Sequence, residues 1–206
     1  MSFESWLIFV AFWIVFVTTP GPNAANCIQN GVTFGFRRSL WGVLAILTQA
    51  TAFLLLSAAG LTALIVALPG VFFWVQLGGA ALLVWLGIRA WRNAGKEISL
   101  PSAAGSIYGR ALAIATINAK SLAGYLAAFS QFVQPDVSIW VQMQVIMPTA
   151  LILTAISYVG YTALGAGLGR AVLSAVFNTW VRRGLAACFV VYGALLGASA
   201  LPQRGA

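Results

Sequence analysis

Long runs without charge, broken at a few points, set out the architecture of this chain. Charge-free stretches run from Ser5 to Phe36, Ser39 to Ile88, Val137 to Gly169 and Gly184 to Gln203. A fifth, Ala111–Pro135, carries a single charge, Lys120. A helix that crosses a bilayer needs about 20 predominantly apolar residues. Ser39–Ile88 is too long for one such helix, and Pro69-Gly70 divides it with a tight turn. The pattern predicts six transmembrane helices, at about 6–28, 40–67, 71–91, 109–132, 140–168 and 182–201. The expected fold class is therefore all-α, a polytopic membrane protein in one transmembrane domain.

Composition strengthens this reading. The 206 residues are 61% hydrophobic and 7% charged, against about 25% charge in a soluble domain. Mean hydropathy is +0.95. The net charge of +8 does not point to nucleic acid, because the basic residues cluster at the ends of apolar spans rather than along a polar face. Arg37 and Arg38 fall between helices 1 and 2. Arg89, Arg92, Lys96 and Arg110 surround the link between 3 and 4. Arg170, Arg182 and Arg183 fall between 5 and 6, leaving Arg204 alone at the other side. The positive-inside rule assigns those links to the cytoplasm and both termini to the outside of the cytoplasmic membrane. Glu4 and Asp136 fall on the outer side, and Trp6, Trp74, Trp91, Trp140 and Trp180 near helix ends, as an aromatic belt requires. The first apolar run has no Lys or Arg before it, so it is expected to stay as a helix rather than leave as a signal peptide.

One link has length, about 93–108, with Gly95, Pro101 and Gly105. It reads as a cytoplasmic connector between halves of about 1–92 and 109–206. Three helices per half force the halves into opposite orientations, the geometry of inverted-repeat transporters whose site lies at the repeat interface.

Two motifs disturb the spans. Pro20-Gly21-Pro22-Asn23 lies inside the first. Two prolines remove backbone donors and clash with earlier carbonyls, so the helix breaks or kinks there. If it breaks, the segment from Asn23 onward is a half-helix whose N-terminus carries free N–H groups and about half a positive charge, able to attract a carboxylate. Asn23 and Asn26 add amides near it. The second motif is Asn118-Ala119-Lys120. An intramembrane lysine is costly unless paired or wet, so it marks a functional site by default. Lys120 has three fates open to it: a substrate carboxylate, a backbone carbonyl, or snorkelling towards the cytoplasm. Counted from the nearest span ends, both motifs lie at similar depth and can face one cavity. Gln49 is a strong polar group in mid-helix, either part of the site or glue between helices. Candidate substrate-binding residues are thus Pro20, Gly21, Pro22, Asn23, Asn26, Gln49, Asn118 and Lys120.

The remaining chemistry is sparse. There is no histidine, and Cys27 and Cys188 are isolated, so no zinc or CxxC pattern exists. No metal, cofactor or catalytic role is expected. Gly165–Gly169 and Gly193–Gly197 are GxxxG pairs, open to a homodimer face or to close packing within the chain. Tyr125, Phe129 and Phe132 are candidates for an apolar side-chain pocket.

Three segments resemble the lysine exporter (LysE/RhtB) family: Pro20-Gly21-Pro22-Asn23, the run Leu77–Gly87, and Asn118-Ala119-Lys120 followed by Phe129-Ser130-Gln131-Phe132. The likeness covers nearly the whole chain. It implies a small exporter of amino acids or close relatives, thought to be driven by the proton gradient, with its site near both motifs. Ala119 stands where that family has proline, so a softer break is expected in the fourth helix. Thr154 stands where many relatives have an acid.

The expected function is export of amino acids or closely related small zwitterionic metabolites. With Glu4, Glu97 and Asp136 as the only acids, Lys120 itself is the candidate coupling group: proton loss would release a bound carboxylate. The rival readings are a non-transporting membrane scaffold or accessory subunit, and a thiol-redox membrane protein using Cys27 and Cys188.

Overall fold

The computed structural model describes residues 2–67, 72–96, 106–134, 136–169 and 178–200. The expected turn at Pro69-Gly70, Glu97 and most of the 93–108 connector, Arg170 and Arg204 lie outside these residues. Seven helices form among them: α1 (Phe3–Thr18), α2 (Pro22–Ala67), α3 (Phe72–Arg92), α4 (Ile107–Ile117), α5 (Ala119–Phe132), α6 (Ile139–Leu168) and α7 (Thr179–Ala200). Four of them, α2, α3, α6 and α7, contain stretches long and apolar enough to cross a membrane. The remaining three are shorter.

The ends follow from local chemistry. Ser2 caps α1 by accepting from Ser5 N at 3.2 Å, with Glu4 in the first turn, where an acid complements the helix dipole. The helix stops at Thr18 because Thr19, ahead of Pro20, takes an extended ψ of 118°, as the steric bulk of a following proline favours. Pro22 then opens α2 at the first helical position, where its missing N–H costs nothing. Gly35 splits α2 with φ 72° and ψ 172°, a backbone that glycine reaches without a Cβ clash. The expected first link therefore shrinks to one residue. The chain runs helically through 22–34 and again through 36–67, where the sequence pattern left 29–39 outside both spans.

The helices pack through small residues. α2 packs on α6, α3 on α7, α2 on α4 and α3 on α5. A Cβ on Gly31 would meet the backbone of Thr162 and Ala166, and one on Gly165 would meet the backbone of Ile28. A Cβ on Gly193 would meet Ala80 O at 2.8 Å, and one on Gly87 would meet Ala186 O at 2.8 Å. Both GxxxG motifs thus contribute glycines to contacts within the chain, where backbones approach closely. α1 lies against α5, α6 and α7 and supplies an aromatic ladder, Phe9, Phe12, Trp13 and Phe16, that meets Phe132, Tyr125 and Phe189. Outside, Leu56, Ile156, Leu195 and the predicted belt residues Trp74, Trp140 and Trp180 are exposed, an apolar surface suited to lipid.

Basic groups gather at one end. Arg182 donates to Lys96 O at 2.7 Å and Asn93 O at 2.8 Å, and Arg183 lies over the rings of Trp91 and Trp180. At the opposite end, Gln142 closes the α5–α6 link with bonds of 2.9 Å to Gln134 N, Gln134 O and Val137 O. Cys27 is buried on α2 and Cys188 partly buried on α7, both as free thiols.

Candidate functional site

Two helix breaks meet in the interior. At the first, α1 ends and α2 begins on either side of Thr19-Pro20-Gly21. At the second, Asn118 is both the C-cap of α4 and the N-cap of α5. Ala119 was expected to soften this second break, yet the interruption is complete. Asn118 takes an extended ψ of 101°, and its side chain accepts from Lys120 N at 3.1 Å. Asparagine is among the best N-caps because its oxygen satisfies a free N–H of the first turn. No proline is needed.

A broken helix leaves carbonyls without partners, and at depth these must be satisfied within the protein. Three carbonyls at the end of α1 find one. Val17 O accepts from Ser157 Oγ at 3.2 Å, Thr18 O from Tyr161 Oη at 2.5 Å, and Thr19 O from Lys120 Nζ at 2.6 Å. Ser157 and Tyr161 come from α6, Lys120 from the first turn of α5. Of the three fates open to Lys120, the structure realises the backbone carbonyl. The ammonium also lies 5.2 Å from the centre of the Phe16 ring, within cation–π range. The two breaks are thereby tied to each other, with the N-termini of α2 and α5 on either side.

A cavity of about 10 Å³ opens at this junction, the size of one water molecule. Its lining includes the predicted residues Gly21, Asn23, Asn118 and Lys120, together with Phe16, Val17, Ile46, Ser121, Tyr125, Thr154 and Tyr158. Pro20 and Pro22 shape the break without lining the cavity. Asn26 and Gln49 lie outside the lining, but both are buried and neither amide atom of either has a hydrogen-bond partner. Asn23 Oδ1 and Asn30 Nδ2 are equally unpaired. Unpaired buried amides normally cost about 1–3 kcal/mol each, so such a group on α2 needs a reason.

Sequence reasoning missed Ser121 and Tyr161. Both are ordinary polar residues in apolar helices, and only the packing of α5 and α6 on the break gives them a task. The suggested aromatic pocket divides: Tyr125 lines the cavity, while Phe129 and Phe132 belong to the core beside α1. Thr154 is committed to structure, donating to Ala150 O at 2.6 Å and accepting from Trp13 Nε1 at 3.1 Å.

The family model described as LysE type translocator matches residues 14–200. The chain belongs to that family. This places it among polytopic membrane translocators rather than enzymes. It is 32% identical to an uncharacterized membrane protein of Vibrio cholerae over 95% of this chain and 98% of that one. It is 24% identical to a homoserine/homoserine lactone efflux protein of Salmonella typhimurium over 97% and 98% of the two chains. It is 27% identical to a leucine efflux protein of Enterobacter over 73% of each. No solved structure matches. As a LysE type translocator, the chain keeps its two helix breaks inside the matched region, with Lys120 joining them.

Proposed function

We propose that this translocator exports amino acids or closely related small zwitterionic metabolites across the cytoplasmic membrane. The observation that carries the reading is the Lys120–Thr19 tie, which brings a cation and two half-helix N-termini to one buried point. A carboxylate suits such a point. An ammonium has three donors, and Thr19 O takes one of them, so Lys120 can hold a substrate carboxylate while keeping the break closed. Pro20, Gly21 and Pro22 form the turn that exposes the α2 terminus. Asn23, Asn26, Gln49 and Asn118 offer amides to the rest of the molecule. Relatives named for efflux of homoserine, leucine and cysteine or O-acetylserine support amino acids as the substrate class.

In this reading the chain crosses the membrane six times as two inverted halves. Residues 3–34 and 107–132 are the broken spans, joined across their breaks. The arginine-rich end faces the cytoplasm and both termini face outward, as the charge bias supports. Coupling to the proton gradient runs through Lys120: transfer of its proton to water frees the carboxylate, and reprotonation restores the ammonium. Lys120→Gln export at the wild-type rate with unchanged pH dependence would sink that step.

The test of the function is efflux of a mixed pool of labelled amino acids from proteoliposomes, wild type beside Lys120→Ala. The expected result is one or a few solutes leaving only with wild type. No solute leaving with either protein overturns the amino-acid reading.

A further inference from the structure

The unpaired amides on the first part of α2 form a line that starts at the cavity. Asn23, Asn26 and Asn30 are spaced three and four residues apart in the first part of α2, so they share one face. Seven residues of helix separate the first from the last, about 10 Å at 1.5 Å per residue. All three are nearly fully buried, at 3%, 1% and 0% exposure. Asn23 lines the Lys120 cavity. Asn30, at the other end of the line, accepts from Arg110 Nη2 at 2.5 Å. Between them both amide atoms of Asn26 have no partner, nor does Asn30 Nδ2. In a sealed core such groups would be replaced by apolar ones. On a path that opens, water or a passing solute supplies the missing partners.

We infer that Asn23, Asn26 and Asn30 line the approach of the substrate from the arginine-rich end to Lys120, and that Arg110 is the latch which closes it. This rests on the reading of Lys120 as the substrate site and extends it to a gate. Arg110 sits in the first turn of α4, the helix that leads inward to Asn118. It therefore stands at the outer end of the polar line, and Lys120 at the inner end. The two acids among the described residues, Glu4 and Asp136, are exposed near the start of α1 and in the α5–α6 link, away from this path. The latch lies against α2 beyond Gly35 as well: a Cβ on Gly42 would come 3.1 Å from Asn30 Nδ2 and 3.7 Å from Ala111 Cβ.

The chemistry of the latch suits its ligand. A guanidinium bound to a neutral amide oxygen has a better partner in a carboxylate, which accepts two parallel hydrogen bonds. An incoming zwitterion competes with Asn30 for Arg110, frees the amide, and exposes the line of asparagines that leads to the second cation. The latch is thus opened by the solute it admits. A salt bridge in its place would be harder to exchange.

The test is thiol accessibility. In a chain carrying Cys27→Ser, Cys188→Ser and Asn26→Cys, a membrane-impermeant maleimide is added to inside-out vesicles, whose outer surface is the cytoplasmic one. Labelling is expected to be slow with Arg110 present and at least tenfold faster with Arg110→Ala. With Asn30→Asp, which converts the latch to an ion pair, labelling is expected to be slower than with Asn30 intact. Equal rates with and without Arg110, whether slow or fast, overturn the proposal. A control thiol at buried Ala186 on α7, off the path, reports loosening of the whole fold. If it reacts in the Arg110→Ala chain, the Asn30→Asp arm decides, and labelling there at or above the Asn30 rate overturns the proposal. Since labelling needs no knowledge of the solute, a gated thiol with no amino-acid efflux would overturn the substrate class and leave the gate standing.

Discussion

The two helix breaks do the same job with different means. At Thr19-Pro20-Gly21, prolines force the interruption, and three carbonyls around it are satisfied from afar by Ser157, Tyr161 and Lys120. At Asn118 there is no proline. The interruption is held locally, by an asparagine whose side chain caps the next helix and whose own N–H reaches back to Ala115 O. Gly21-Pro22 and Asn118-Ala119 thus occupy matching positions, the last residue before a half-helix and its first. The comparison shows what a broken membrane helix needs. The sequence must deny one hydrogen bond or cap a new one, but the break persists only if every freed backbone group finds a partner.

The comparison can be broken most severely at its shared residue. Lys120→Met removes the partner of Thr19 O and the buried cation together. Loss of a hydrogen bond to a charged group costs about 1.5–3 kcal/mol, and export is expected to fall below detection while the purified protein melts earlier in detergent. Lys120→Arg is expected to keep the tie and much of the stability. Equal melting of wild type and Lys120→Met would show that the first break does not depend on the second.

Next comes the contact that presses α5 onto α1. A Cβ on Gly124 would run into the Phe16 ring, the same ring that lies under Lys120. Gly124→Ala is expected to cost about 1–3 kcal/mol by overpacking, read as a lower melting midpoint. Gly124→Ala with Phe16→Leu in one chain should recover part of it.

Ser157→Ala and Tyr161→Phe each strand one carbonyl of α1. Each is expected to cost about 1–3 kcal/mol, with export reduced but present, since neither touches the cation. Ser157→Ala is the milder, because its bond is the longest of the three at 3.2 Å.

The smallest effect sharpens the comparison instead of breaking it. Ala119→Pro would make the second break resemble the first. Position 119 is the first residue of α5, and Asn118 before it already has an extended backbone, so proline fits both rules that govern it. The expected change is stabilising by about 0.4–1 kcal/mol, seen as a higher melting midpoint with export retained. Marked destabilisation would show that the Ala119 N–H has a role that the first break does not share.

Much of this molecule was legible from residue pattern because bilayer physics reads composition directly. Apolar run lengths gave the helices of the second half to within a few residues. Pro20 and Pro22 announced their break because proline acts on its own neighbours. Arg37 and Arg38 marked a link between the first two spans, but not its sharpness: a single glycine gives no loop composition, and only the positive φ of Gly35 reveals where the chain turns. The Asn118 break was half-visible, since an asparagine caps a helix only when the backbone around it has already departed from helical dihedrals. Gln49 illustrates the opposite limit. Its type marked it as a site candidate, yet it lies outside the cavity lining, with no partner for its amide.

By itself the sequence determined an all-α membrane chain, the course of most of its helices, the end at which its arginines collect, and two points where a helix is disturbed. These are consequences of one-dimensional pattern, because the cost of charge and of unpaired backbone in an apolar medium depends on what a residue is and what lies beside it in the chain. The tertiary structure decided which groups heal the breaks. Lys120 and Thr19 are 101 residues apart, and Thr18 and Tyr161 are 143 apart. Such pairs exist because α5 and α6 pack against α1, α5 through Gly124 on the Phe16 ring, and hydrogen bonds are short-ranged, so no local pattern can name their partners.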